Sequence, residues 1–394
     1  MGDYKFSNFG WLINPILPES FFETYWEQSA LLIQRNESEY WSHLLSLEIV
    51  DQVISTLNLD YPELSLTNAN GEIPKDNYLI SDNLVNLAKV YQYYNDGHTI
   101  ILNSQNNRVP SLANLCRTLE LEFGMPFQTN VYLTPADAQG FTSHYDDHCV
   151  FILQISGTKR WRIYQKIIEF PTKDFYRENR VDNPGFPEME FDLNPGDILY
   201  IPRGIVHDAV TSSTLSLHIT LGALARTWVD IFPDVIKTLL SDSDFRKSLP
   251  IGTICNSDNM EEMFQTYLKL INKFNSKQVF EKAYFQYADR FLESRKAILP
   301  GQLFQMKKII DIDFGKAIIQ RSNLLYRLVE TSESIHIYCY GNQISFPSNL
   351  KALIQYILNT RRFFITNIPG NFEIELKKVI VQKLICNGLV MIED

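Results

Sequence analysis

Within five residues, His144-Tyr-Asp-Asp-His148 offers two imidazoles and two carboxylates, the side chains that most readily bind divalent transition metals. The stretch follows Gly140 and leads into the apolar run CVFILQI at 149–155. In an extended strand, side chains at i and i+2 share a face, so His144 and Asp146 project together while Tyr145 and Asp147 point the other way. A histidine and a carboxylate so placed supply two ligands of a 2-His-1-carboxylate facial triad. That arrangement suits non-haem Fe(II), because it leaves coordination positions open. The third ligand must come from another segment. NPGDILYIPRGIVHDA at 194–209 is the evident source: Pro195-Gly196-Asp197 is a turn, a short strand follows, and Pro202-Arg203-Gly204 leads to His207.

An isolated HxD pair is common by chance. HxD followed by a PGD turn, a proline and a histidine in strand-rich surroundings is far more specific. His148 lies four residues from His144, a neighbour on a helix but not on a strand, so it falls outside the expected ligand set with Asp147. Asp208, beside His207, reads as a supporting or exposed acid. Tyr132 reads either as a channel residue or as plain core.

The elements that must position these groups change in texture along the chain. Residues 20–60 read as helices around a short strand, with Ser20 as the N-cap of the first. From about 78 to 225 come short runs rich in β-branched and aromatic residues: HTIILNS, QTNVYLTP, CVFILQISG, KRWRIYQ, GDILYIPRG and LSLHITLGA. Many short strands separated by turn residues predict a double-sheet jelly roll or barrel. After Trp228 apolar residues recur at helical spacing to about 299, and Pro300-Gly301 marks a boundary. The last 90 or so residues mix strands with two helices, an order that fits a small α+β module of winged-helix type. The expected organisation is therefore three parts, 1–225, 226–300 and 301–394, in an α+β chain.

Bulk properties narrow the function classes. A net charge of -10 over 394 residues, with no long Lys/Arg run, disfavours a general nucleic-acid binder. Five scattered cysteines (Cys116, Cys149, Cys255, Cys339, Cys386) form no CxxC pair, which disfavours a disulfide framework and a cysteine zinc site. The N-terminus has no basic segment followed by an apolar one, and no apolar run reaches the roughly 18 residues a membrane span needs. A cytoplasmic protein without membrane partners is expected. No GxSxG, P-loop or GxGxxG competes with the metal reading.

TNVYLTPADAQGFTSHYDDHCVFILQISGTKRWRIY, followed by GDILYIPRGIVHDAVTSSTLSLHITLG, resembles the JmjC-domain ribosomal oxygenases. These are protein hydroxylases among the 2-oxoglutarate- and Fe(II)-dependent oxygenases of the cupin superfamily. FGWLINPILPESFFETYWEQSALLIQR and VYQYYNDGHTIIL are similar to the family's opening segments. The likeness is strong over residues 8–225 and weaker beyond. It implies a double-stranded β-helix core with N-terminal helices, a helical dimerisation region, a winged-helix-like C-terminal module and a homodimer. It also implies that His144, Asp146 and His207 hold iron and that Lys159 pairs with the distal carboxylate of 2-oxoglutarate. Asn130 and His218 are implied to touch that cosubstrate near its metal-bound end, and O2 is the second cosubstrate.

The substrate implied is a side chain of a protein or peptide. Two positions depart from the histidine-hydroxylating members: Ile100-Ile101, where those tend to carry an arginine, and Gly222, where they tend to carry a serine. Both count against a ribosomal histidine target and leave a biosynthetic peptide as the alternative. An N-methyl demethylase and a non-catalytic cupin-like binding module are the competing classes.

Overall fold

The computed structural model describes residues 8–81, 83–173, 179–250, 260–310, 312–322 and 324–393. Its backbone divides into two compact units, Met1–Ala225 and Arg226–Asp394.

The first unit opens with α1 (Phe9–Leu12), α2 (Pro18–Thr24), β1 (Leu31–Ile33) and α3 (Leu47–Thr56). Helix α2 starts three residues earlier than Ser20 as N-cap would have it. Pro18 occupies the first turn, where its fixed φ and missing N–H cost nothing, and Leu17 is the N-cap. There follow β2 (Leu64–Asn68), β3 (Gly71–Glu72), β4 (Leu79–Ser81), β5 (Leu84–Val85), α4 (Leu87–Asn95), β6 (Thr99–Leu102) and α5 (Pro110–Phe123). The core strands are β7 (Phe127–Thr134), β8 (Cys149–Ser156), β9 (Lys159–Lys166), β10 (Met189–Leu193), β11 (Ile198–Ile201), β12 (Ile205–Thr211) and β13 (Ser216–Ala223).

They build an eight-stranded sheet, β1-β11-β8-β13-β7-β6-β2-β3, and a three-stranded sheet, β10-β9-β12. The pairings in the core are antiparallel. Strand β8 reads as one apolar run because both its faces are covered. Cys149, Phe151 and Leu153 pack with Phe9, Phe21 and the helices, while Val150 and Ile152 pack with Trp161, Ile163 and Ala209 of the small sheet. Strand β13 alternates differently. Leu217, Ile219 and Leu221 join the helical side, so His218 and Thr220 turn inward, where they line a cavity. The site is therefore made of polar residues on inward positions of strands whose other face is core.

In the second unit, α6 (Trp228–Leu239), α7 (Met260–Phe274), α8 (Lys277–Glu293) and α9 (Gln302–Lys308) precede β14 (Ile318–Gln320), β15 (Arg327–Glu330), β16 (Ser334–Cys339) and β17 (Asn342–Pro347). Then come α10 (Lys351–Asn359), β18 (Arg362–Phe363), α11 (Ile374–Cys386) and β19 (Val390–Ile392). Sheets β18-β14-β19 and β15-β16-β17 share one core with α10 and α11, centred on Ile318, Ile337, Leu353, Ile357, Val381 and Leu384. Helix α6 begins with a capping box in which Thr227 and Asp230 satisfy each other's backbone N–H. Among the described residues, no helix is long and apolar enough to cross a membrane.

Candidate active site

The stretch at 140–148 is not the continuous strand that its spacing suggests. It lies in the connection between β7 and β8, and only His144 pairs, in isolated antiparallel bridges to His207 and Arg180. Its N–H donates to the His207 carbonyl at 3.0 Å, and the His207 N–H returns the bond to the His144 carbonyl at 2.8 Å. Gly204 N–H adds a third bond, to the Asp146 carbonyl at 3.0 Å. Gly204 has φ +84, and a Cβ there would lie 2.1 Å from the Ile168 carbonyl oxygen, so only glycine fits this turn. Main-chain pairing thus stitches the loop bearing His144 and Asp146 to the strand bearing His207, and the i, i+2 sharing of a face survives without a full strand.

His144, Asp146 and His207 bring one potential ligand atom each to within 4.8 Å of one another. His207 Nε2 lies 3.6 Å from an Asp146 carboxylate oxygen. The Nδ1 atoms of His144 and His207 face the carbonyls of Thr142 at 2.8 Å and Ile205 at 3.1 Å. A carbonyl only accepts, so each Nδ1 carries the proton and each Nε2 lone pair points free. Burial, and after it the neighbouring His144, pushes the His207 imidazolium down to about 4. His207 is therefore neutral and able to coordinate at physiological pH. Burial would raise the Asp146 carboxyl, but the imidazoles of His207, His144 and His148 outweigh it and hold it below its ordinary range. Two imidazole nitrogens and a carboxylate oxygen are the donor set that a facial-triad metal requires.

The far end of the cavity is cationic. Lys159 opens β9 and is buried; its Nζ donates to Thr134 Oγ1 at 3.3 Å, and Thr99 Oγ1 lies 3.1 Å from the same oxygen. Burial alone holds the ammonium down at about 7. Lys159 is the one lysine or arginine among the described residues that line the cavity. His218 stacks flat on Tyr132, with ring centroids 4.9 Å apart, and burial together with nearby Lys159 holds it well below its ordinary value. His218 Nδ1 and Trp161 Nε1 are buried without a hydrogen-bond partner. Two orphaned polar atoms beside a desolvated lysine mark the wall of a site for a polar, anionic ligand, and 2-oxoglutarate fits that chemistry.

Asn130 is placed differently from the other expected residues. It sits on the inward row of β7, but its Oδ1 accepts from the Ser104 N–H at 3.0 Å and from the Gln128 amide at 3.1 Å, and it is not part of the cavity wall. Trp161, Thr134 and Thr99 line or close the site, and sequence reasoning did not single them out. Trp161 was within reach of it, because it stands two residues after Lys159 on one strand and so shares its face.

The remaining pair of the opening cluster has its own geometry. His148 Nδ1 lies 2.7 Å from Asp147 Oδ1, and its ring rests on Gly222. A Cβ at position 222 would come within 2.9 Å of His148 Cδ2. The imidazole therefore occupies the space that any side chain at 222 would need.

A model of the JmjC domain matches residues 102–231. The curated relatives include the "Bifunctional lysine-specific demethylase and histidyl-hydroxylase NO66" of Drosophila willistoni, 34% identical over 258 residues, covering 62% of this chain and 33% of the relative. The protein of that name from Aedes aegypti is 30% identical over 306 residues, covering 72% of this chain and 47% of the relative. The chain thus spans between a third and a half of the length of these two relatives. Among solved structures, the Escherichia coli ribosomal oxygenase YcfD in complex with cobalt and 2-oxoglutarate superposes with a TM-score of 0.56 at 16% identity, covering 95% of this chain and 98% of that one. Residues 102–231 are thus similar to a JmjC domain, within a fold that resembles that of the ribosomal oxygenase over nearly the whole chain.

Proposed function

We propose that this chain is a 2-oxoglutarate- and Fe(II)-dependent oxygenase that hydroxylates a side chain of a protein or peptide. The observation that carries the reading is one cavity with a His144, Asp146, His207 donor set at one place and, at another, Lys159, the one lysine or arginine among the described residues that line it. His144, Asp146 and His207 would hold the metal, Lys159 the distal carboxylate of the cosubstrate, and His218 and Trp161 its remaining polar atoms. With iron and 2-oxoglutarate bound, the site supplies oxidative decarboxylation by O2, giving succinate and CO2 while one oxygen atom enters a substrate C–H bond. The chain itself orients the dicarboxylate between its two anchors and keeps both imidazoles in the coordinating tautomer. It also shields the site with Trp161, Val150 and Ile152. The cobalt and 2-oxoglutarate named in the YcfD complex, and the hydroxylase named in the NO66 relatives, support the assignment.

The test is turnover with Fe(II), 2-oxoglutarate and a ribosomal protein fraction, read as succinate and as the gain of one oxygen atom in a substrate peptide by mass spectrometry. Absence of succinate above a metal-free control, with and without that fraction, would rule the reading out. The relatives' name also includes a lysine demethylase. Release of formaldehyde in place of a stable hydroxylated product would select that second reading.

In the same reading, residues 226–300 form a helical dimerisation region and 301–394 a winged-helix-like module, in a cytoplasmic homodimer. Helix α7 supports the dimer: Phe264, Tyr267, Leu268 and Ile271 recur at helical spacing and are all exposed. Light scattering should give twice the chain mass, and Phe264→Asp with Leu268→Asp should return it to a monomer. A wild-type chain that scatters as a monomer at micromolar concentration would refute the dimer.

A further inference from the structure

The outward side chains of the small sheet hold a polar cluster that the chemistry above does not use, around Asp208, a residue that also borders the cavity. Asp208 follows His207 on β12 and is buried. Its Oδ1 accepts from Arg162 Nε at 2.7 Å, and its Oδ2 accepts from Tyr164 OH at 2.9 Å and Ser143 Oγ at 2.6 Å. Arg162 and Tyr164 belong to β9, the strand paired with β12, and Ser143 belongs to the loop, immediately before His144. Tyr145 of the same loop is buried against Tyr164 and Val206. Alternate loop residues thus point in opposite directions: His144 and Asp146 into the cavity, Ser143 and Tyr145 down onto the outer face of β9 and β12.

We propose that Asp208 is a positioning residue for the metal site, clamping the loop that carries His144 and Asp146 onto the strand that carries His207. The inference rests on the metal-site reading above. A buried carboxylate is costly unless its oxygens are bonded, and an apolar residue would fill the same volume without that cost. What the carboxylate adds is direction. Three donors from two segments, strand β9 and the loop, converge on it, and one of them, Ser143, is covalently adjacent to His144. Main-chain pairing fixes the His144 and His207 backbones, whereas the Asp208 clamp fixes the turn of the loop ahead of them. Groups that support metal ligands in this way typically contribute about 10–100-fold to metal affinity.

The experiment titrates the full chain with Mn(II) alone, read by electron paramagnetic resonance, alongside thermal melting. Asp208→Ala should weaken Mn(II) binding by about 10–100-fold. Asp208→Asn should recover part of the loss, because its Oδ1 still accepts from Arg162. Ser143→Ala combined with Tyr164→Phe removes two of the three bonds with almost no loss of volume, and serves if Asp208→Ala fails to fold. It should lower affinity by several-fold, on the order of the loss of a hydrogen bond or two. A role confined to stability would lower the melting temperature and leave the Mn(II) dissociation constant of the folded chain alone. Affinity within about twofold of wild type in Asp208→Ala, or in the double variant, overturns the proposal. If the wild type binds no Mn(II), or His207→Ala binds it equally well, the metal site itself is misassigned.

Discussion

Replacing His207 by alanine should lower Mn(II) or Fe(II) affinity by more than about 100-fold and abolish succinate formation, whereas His148→Ala should leave metal affinity within about threefold of wild type. The contrast separates the four candidate donors of the opening cluster. Supporting residues around a metal are worth about 10–100-fold, so loss of a ligand itself exceeds that range. His207 presents a neutral Nε2, freed by the bond of its Nδ1 to the Ile205 carbonyl, toward the Asp146 carboxylate 3.6 Å away. Alanine removes that donor and leaves only His144 and Asp146 of the set. His148 has its Nδ1 committed to Asp147 and its ring seated on Gly222, so removing it takes no donor from the set. Isothermal titration with Mn(II) checks both variants. Equal losses in the two would mean that His148 coordinates and that the ligand set is wrong.

How much of this was legible in the sequence varies with the physics of each residue. Strand β8 could be read from CVFILQIS because burial on both faces leaves no polar position to interrupt the run. The place of His207 beside His144 and Asp146 could be read because a turn, a short strand and a second turn leave few positions from which a third donor could come. Strand β12 itself was harder. IVHDAVT carries a histidine and an aspartate in the sheet, and both are tolerated there because the histidine meets its own strand's Ile205 carbonyl and Asp146 of the loop, and the aspartate meets Arg162, Tyr164 and Ser143. The bonds of Asp208 depend on the register of β9 against β12 and on how a loop 65 residues earlier folds back, neither of which spacing encodes. Thr134 reaches Lys159, and Thr99 reaches Thr134 across the β6–β7 pairing, contacts that no local pattern reveals. Gly222 is the converse case. The sequence showed a departure from the family's serine, and the structure shows its steric partner, the His148 ring, four residues along from His144.

Lys159→Ala should weaken 2-oxoglutarate binding by two to three orders of magnitude or more, since stranding a buried charge without its partner costs about 3–5 kcal/mol. The wild type carries a further signature in its pH dependence. Burial holds the Lys159 ammonium at about 7, against 10.5 for a solvated lysine. The cosubstrate's distal carboxylate requires the protonated form, and binding it raises the lysine again, so the protein takes up a proton on binding whenever the pH exceeds about 7. By linkage, affinity should fall as pH rises above that value, approaching about tenfold per unit. In the absence of cosubstrate the sign is opposite for stability. Between about 7 and 10.5 the unfolded chain binds the proton that the folded chain has lost, so the penalty for burying Lys159 is full below 7 and is relieved as pH rises. Lys159→Arg keeps its charge throughout this range and should flatten the affinity profile, at some loss of fit against Thr134. Titration of the Mn(II)-loaded protein with 2-oxoglutarate between about pH 6.5 and 8.5 measures both effects. A flat wild-type profile, or undiminished binding by Lys159→Ala, would mean that the dicarboxylate is anchored elsewhere. A steep wild-type profile that becomes flat in Lys159→Arg would tie the proton uptake to this one ammonium, because His218, held neutral beside it, is the same in both proteins.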